Sequence, residues 1–169
     1  MDAIEAIRAR RTHKSFGREP LSREAVEELF DLAQFAPNHH LTQPWRFRVL
    51  GPEALARLKD AAGPAEAPKL DRAPTLVLAS AKLDGEPQQD EEDVAATAAA
   101  IYAVLLGATA AGLASYWRTP GVLRTPAGRA AVGVPDDEHV LGLIHLGSPR
   151  VELRPPERKP VDTYLSFLD

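Results

Sequence analysis

Residues 94–117 read VAATAAAIYAVLLGATAAGLASYW, a run of 24 positions without a charged side chain. About 20 apolar residues in a helix suffice to cross a bilayer, so the run has to be read for composition as well as length. Most of it is Ala, Gly, Thr and Ser. Only Val94, Ile101, Val104, Leu105, Leu106 and Leu113 are strongly aliphatic, and no basic flank marks a cytosolic side. A helix buried inside a folded domain explains these residues better than a membrane span. The run thus predicts a central helix from about Glu91 to Ala114, with Ile101, Val104, Leu105 and Ala108 as its densest stripe. Gly107, Ala111 and Gly112 would let another backbone approach.

Working outward from this helix, the continuous apolar run between Pro74 and Lys82 reads as a strand buried on both faces. Asp84 to Asp93 reads as a solvated acidic connection whose last carboxylates favour the positive end of the following helix. Beyond the helix, Trp117-Arg118-Thr119 reads as a turn, Pro126 to Val132 as a weak helix and Val140 to Gly147 as another strand. Trp45 to Leu50 alternates, with Trp45, Phe47 and Val49 on one face and Arg46 and Arg48 on the other, as in a half-buried strand. Asp2 and Ser22 are candidate N-caps for two early helices, the second stopped by Pro37, and Gly51-Pro52 opens a third that Gly63 closes. Helices and strands interleave without repeats or a domain-scale linker, which points to one α+β or α/β layer domain over residues 1–169.

Composition narrows the function. The 169 residues are 44% hydrophobic and 26% charged, a globular profile. With 20 basic and 24 acidic side chains the net charge is −4, which argues against a general nucleic-acid binder. The absence of cysteine excludes disulfides, thiolate metal sites and a cysteine nucleophile. Met1 to Arg11 lacks the apolar centre of a signal peptide, so the expected location is cytoplasmic.

The common nucleotide and hydrolase signatures are missing: no G-x-G-x-x-G, P-loop, H-E-x-x-H or G-x-S-x-G occurs. Donors instead sit on four separated segments. Arg10, Arg11, Thr12 and Lys14 combine guanidinium forks, a hydroxyl and an ammonium, a mixture that binds phosphate, although cations at a helix C-terminus are favourable without a ligand. His39 and His40 are adjacent in what reads as an extended loop; they should point in opposite directions with no carboxylate nearby, which speaks against a metal site. Gln43 offers an amide suited to the donor and acceptor edges of a heterocycle. Trp117, Arg118 and Thr119, and then Arg158 and Lys159 in the Pro-rich tail, complete the set, and Phe35 is a candidate pocket wall or core residue.

Four strings together resemble the FMN-dependent nitroreductase family, most closely its short bacterial YdjA-type branch. They are Arg10-Arg11-Thr12-His13-Lys14-Ser15-Phe16, Ala36-Pro37-Asn38 leading to Gln43-Pro44-Trp45-Arg46-Phe47, Gly112-Leu113-Ala114-Ser115 and His145-Leu146-Gly147-Ser148-Pro149. The resemblance implies an α+β fold with a mainly antiparallel sheet flanked by helices, in an intertwined homodimer with FMN at the interface. It implies that Arg10, Arg11, Thr12 and Lys14 hold phosphate and ribityl groups, and that His39 reaches the flavin across the interface. Gln43 and Trp117 to Thr119 would approach the ring, Arg158 or Lys159 would close on the phosphate, and Phe35, His40 and Leu41 would line the substrate pocket. Leu41 stands where many members carry Asn. The tail, residues 150–169, would dock on the partner subunit.

The function so implied is NAD(P)H oxidation through FMN, in ping-pong fashion, with a nitroaromatic, quinone or activated alkene as small-molecule acceptor. No catalytic side chain and no metal is expected, because the flavin carries the chemistry. The alternatives are a flavin carrier or sensor without turnover, and a small interaction domain whose basic helix end binds acidic partners.

Overall fold

The computed structural model describes residues 1–168. Five α-helices and four strands follow one another as α1 (Ala3–Ala9), α2 (Arg23–Asp31), β1 (Trp45–Val49), α3 (Pro52–Ala62), β2 (Thr75–Lys82), α4 (Pro87–Ala110), β3 (Ala114–Arg118), α5 (Pro126–Ala131) and β4 (Glu138–Gly147). The strands form one sheet in the order β1-β2-β4-β3, and every neighbouring pair is antiparallel. The architecture is α+β.

Local chemistry sets the early helices. Asp2 accepts from the Glu5 amide at 2.8 Å while the Glu5 carboxylate returns to the Asp2 amide at 2.9 Å, a complete capping box. Ser22 caps α2 through the Ala25 amide, and α2 tightens into a 3-10 turn over Leu32–Phe35 before Pro37.

The two inner strands are covered on both sides. Leu76, Leu78 and Leu143 face a core shared with Leu58, Leu70 and Leu123, whereas Val77, Ala79, Ile144 and Leu146 face Ala100, Ile101, Val104 and Ala108 of α4. This is the period-two alternation of a strand, made apolar on both faces because helices cover both. Each large aliphatic side chain removed from water contributes about 1.5–3 kcal/mol. The helix predicted at the centre therefore lies on the sheet. It is long and apolar enough to cross a membrane, but its aliphatic stripe is turned onto β2 and β4.

Several boundaries differ from those predicted. Helix α4 starts at Pro87, not near Glu91, so most of the acidic connection is helical. The Asp90 carboxylate accepts from the amides of Asp84 and Gly85, which anchors the turn before the helix. The helix stops at Ala110, because Gly112 takes φ +72° and the Leu113 amide closes back on the Ala108 carbonyl at 2.8 Å. Gly112 has nothing within 4 Å of a built Cβ, so it is a terminator; close approach belongs to Gly107, where a Cβ would stand 2.2 Å from Leu32 Cδ1. The Trp117-Arg118 turn is in fact the end of strand β3, a fourth strand that pairs with β4. Val49 is exposed, so the apolar face of β1 stops at Phe47.

Two polar groups cross the core. Arg48 of β1 donates two hydrogen bonds of 2.7 Å to Glu138 of β4, which also accepts from Ser80 of β2 at 2.5 Å. Burial raises the Glu138 carboxyl, but these bonds more than offset it and hold the group below its usual range. His145 is fully buried between Phe16 and Tyr116. Burial, assisted by the positive charges of Arg118 and Arg72, pushes its pKa down to about 4.

Two outcomes follow from these groups. Glu138→Ala should lower the unfolding free energy by about 2–3 kcal/mol in urea titration, since it leaves Arg48 without its partner. The unfolded chain takes up a proton at His145 near pH 6.5, whereas the folded chain refuses it until about pH 4. Stability should therefore decline over this window as the pH falls, by about 3 kcal/mol at most, and His145→Leu should flatten that decline.

Candidate functional site

The segment after α1 is drawn to the sheet edge. Thr12 forms a parallel bridge with Ser115 of β3, the His13 amide donates to the Ser115 carbonyl at 3.0 Å, and the Gly17 amide donates to the Ser148 carbonyl at 2.9 Å. An extended segment sends successive side chains to opposite sides. Arg11 and His13 accordingly line a cleft of about 570 Å³ together with Thr109, Leu113, Arg150 and Pro155. Lys14 instead lines a separate concavity of about 330 Å³ with Arg18, Arg72 and Arg150, and Thr12 is exposed. Arg10 lines neither. The cluster that looks continuous in sequence is thus divided by strand alternation.

Around Arg11 and His13 the polar bookkeeping is incomplete. Arg11 Nη1 donates to the carbonyls of Arg8 and Arg10 at 2.6 and 3.0 Å. Arg11 Nε, His13 Nδ1, Ser115 Oγ and both His145 ring nitrogens are buried without a hydrogen-bond partner. A buried polar group left unpaired costs about 1–3 kcal/mol, so the Arg11 and His13 atoms, both on residues that line the cleft, leave room for further polar contacts there, whereas His145 belongs to the core beside Phe16 and Tyr116. Burial lowers the His13 pKa, which favours its neutral ring.

Strand β3 presents the next group. Trp117 Nε1 and Thr119 Oγ1 both donate to the Leu141 carbonyl, at 3.0 and 2.9 Å. The clamp depends on Gly142, whose φ is +142° and where a Cβ would stand 2.6 Å from the Arg118 carbonyl oxygen and 2.9 Å from Trp117 Nε1. Between them, Arg118 is largely buried and reaches 3.7 Å from Glu66, which also pairs with Lys69 at 2.5 Å. The indole and hydroxyl thus hold the strand end, leaving the guanidinium as the charged group of this segment.

The loop before β1 is conformationally unusual. His40, Leu41 and Gln43 have φ of +57°, +52° and +47°, none of them glycine. Left-handed backbone at such residues costs of order 1–3 kcal/mol each and collects at functional sites. The arrangement is held from within by Asn38, whose Oδ1 accepts from the Gln43 amide at 2.7 Å, and from α4 by Asp93 and Glu92. His39 and His40 do not point apart; their rings stack at 3.8 Å, and Glu92 Oε2 lies 2.6 Å from His39 Nδ1. The hydrogen bond to His39 holds the Glu92 carboxyl below its ordinary range. Among the described residues, no group of three His, Asp or Glu side chains could hold a metal ion. Phe35 and Leu41 are 74% and 77% exposed, an apolar rim on this loop.

The two halves of the predicted site are far apart in one chain. Glu92, beside the loop, and Thr109, beside the Arg11 cleft, are separated by 17 residues of α4, or ~25 Å of helix at 1.5 Å per residue. The tail adds Arg150 to the cleft, while Arg158 and Lys159 lie exposed outside it. Asp93, Ser115 and His145 were not singled out by sequence as site residues, because no spacing marks a buried group whose partner comes from another element.

Known proteins share this fold. The nitroreductase family description matches residues 7–65 and 62–148. YdjA of Escherichia coli K12, named as an NAD(P)H nitroreductase, is 26% identical over 185 residues, covering 97% of this chain and 100% of its own. YfhC of Bacillus subtilis, similarly named, is 25% identical over 173 residues, covering 93% and 89%. A nitroreductase-like protein of Bacillus cereus superposes with a TM-score of 0.90 at 22% identity, covering 100% of this chain and 97% of its own. NfnB of Sphigopyxis sp. strain HMH, described as FMN and NADPH-dependent, superposes with a TM-score of 0.83 at 19% identity over the whole of both chains. The family match spans nearly all of the fold and includes the cleft segment, the strained loop and the β3 clamp, and the chain belongs to the nitroreductase family.

Proposed function

We propose that the protein is a cytoplasmic FMN-dependent NAD(P)H oxidoreductase acting on small electron acceptors. The observation that carries this reading is that Arg11 and His13, which line one cleft, each hold a buried polar atom without a partner, beside the unpaired Ser115 hydroxyl on the strand that their segment bridges to, in a chain of the nitroreductase family. A guanidinium with one nitrogen unpaired, an imidazole and a hydroxyl fit a ligand with a phosphate and a polar chain, and FMN has both. Arg11 would take the phosphate through charge-assisted hydrogen bonds, Lys14 would approach from the adjoining concavity that shares Arg150 with the cleft, and Arg10, Thr12 and one of Arg158 and Lys159 would be outer holders. Arg118 and Thr119 would approach the ring edge.

When bound, the flavin supplies ping-pong hydride chemistry at N5 between NAD(P)H and a nitroaromatic, quinone or activated-alkene acceptor. This chain supplies binding, orientation and exclusion of water. The neutral His13 ring can donate to a ligand without adding charge. The β3 clamp fixes where Arg118 and Thr119 stand. Phe35, His40 and Leu41 offer a mostly apolar surface suited to a planar acceptor, with Gln43 as the polar contact.

A homodimer completes the site in this reading. One chain holds the Arg11 cleft and the His39–Gln43 loop ~25 Å apart along α4, so a second copy is needed to bring a loop to a cleft. Exposed apolar residues are available for that contact: Ile4 and Ile7 on α1, Tyr102 on α4 and Tyr164, Leu165, Phe167 and Leu168 in the tail. His39 would then serve the partner's flavin.

Purified protein should be yellow and release FMN, identified by mass, and it should oxidise NADH or NADPH with a quinone. Colourless protein that gains no flavin on incubation would reject the assignment. Arg11→Ala should weaken FMN by about tenfold or more while leaving riboflavin affinity almost unchanged, in a fluorescence titration, since only FMN offers a phosphate. Deleting the residues after Pro155 should lower flavin retention and dimer mass together in light scattering; a truncated chain that stays dimeric and fully loaded contradicts the partner arrangement.

A further inference from the structure

We propose that Asp93, a buried carboxylate on the first turns of α4, is the positioning residue of the strained His39–Gln43 loop and through it sets acceptor binding. This rests on the reading that the loop forms part of the flavin and acceptor site. Asp93 is 4% exposed, and a lone carboxylate in that position demands partners. It has two. Thr42 Oγ1 donates to Asp93 Oδ1 at 2.5 Å, and Gln89 Nε2 donates to the same oxygen at 3.1 Å from one turn earlier on the helix. The first of these bonds reaches out of α4 to the loop.

Thr42 sits between Leu41 and Gln43, two of the three left-handed residues. Its hydroxyl also receives a hydrogen bond from Asn38 Nδ2 at 3.1 Å, and Asn38 Oδ1 in turn accepts from the Gln43 amide. A chain of hydrogen bonds therefore runs from Asp93 through Thr42 and Asn38 to the backbone of Gln43. Its neighbour Glu92 holds His39 from the same turn of helix. A conformation that non-glycine residues adopt only under constraint needs such over-determination, and here the constraint comes from one rigid helix. The rigid element is α4, whose opposite end borders the Arg11 cleft. The loop that presents His40, Leu41 and Gln43 is thus referenced to the same helix as the cleft.

Thr42 lies at the surface, so Thr42→Val tests the link without disturbing the core. In the flavin-loaded protein, exchange of the Gln43 amide with deuterium should quicken by about tenfold, because its acceptor Asn38 loses an anchor. The KM for a quinone acceptor should rise by about threefold or more with kcat little changed, and Thr42→Ser should restore both. Asp93→Ala should repeat the pattern. Unchanged amide exchange in Thr42→Val would overturn the positioning role of Asp93. Faster exchange with an unchanged KM would instead remove the loop from the acceptor site and overturn the reading on which the proposal rests.

Discussion

The burial of β2 and β4 on both faces is the constraint on which the molecule depends. Strands in the middle of a four-stranded sheet have their backbone groups paired on each side, so only their side chains remain to choose surroundings. In β2 every residue from Thr75 to Ala81 is buried, which requires a covering layer above and below. Helix α4 supplies one, and α3 and α5 with their connecting turns supply the other. Small residues in α4 let that helix sit close to the sheet and to the turn after α2, as Gly107 against Leu32 shows. An antiparallel arrangement follows because each strand is brought back by its connection to the opposite direction.

With that centre in place, the edges become the places where unpaired polar groups and strained backbone collect. Strand β3 is an edge, and an unpaired edge is open to further backbone hydrogen bonds. The 12–13 segment takes up that edge through Ser115, which carries Arg11 and His13 to the cleft. At the other edge, β1 follows directly on the strained loop, whose left-handed residues are stabilised by contacts from the start of α4. Both features lean on α4, one at each end. The helix thus acts as a ruler between the Arg11 cleft and the strained loop, and its length explains why a single chain holds them apart.

The polar residues inside the fold divide into two kinds. Arg48, Glu138 and Ser80 satisfy one another across three strands, so they fix register among β1, β2 and β4 and carry no vacancy for a ligand. Arg11 Nε, His13 Nδ1 and Ser115 Oγ are buried and unmatched. The first set is matched within the fold; the second has atoms to spare.

Much of this architecture was already legible in the chain. Capping by Asp2 and Ser22, the two-sided strand at Thr75, the helix stripe at Ile101 and Val104 and the stop at Gly63 all arise from interactions within a few residues, where propensity and periodicity act directly. The strings around Arg10 and Gln43 likewise carried the family resemblance. What the sequence left undetermined required contacts between distant elements. Trp117 and Arg118 read as a turn because Ala114–Arg118 lacks the apolar–polar alternation of β1 and runs straight into Thr119-Pro120, and only pairing with β4 makes it a strand. His39 and His40 read as divergent because an extended backbone was assumed, whereas bonds from Asp93 and Glu92 on α4 bend the loop into left-handed conformations and stack the rings. Asp93 itself looked like one more surface carboxylate in an acidic stretch. Its burial comes from the packing of α4, and its bond from a threonine 51 positions earlier exists only where the folded chain brings the two within reach.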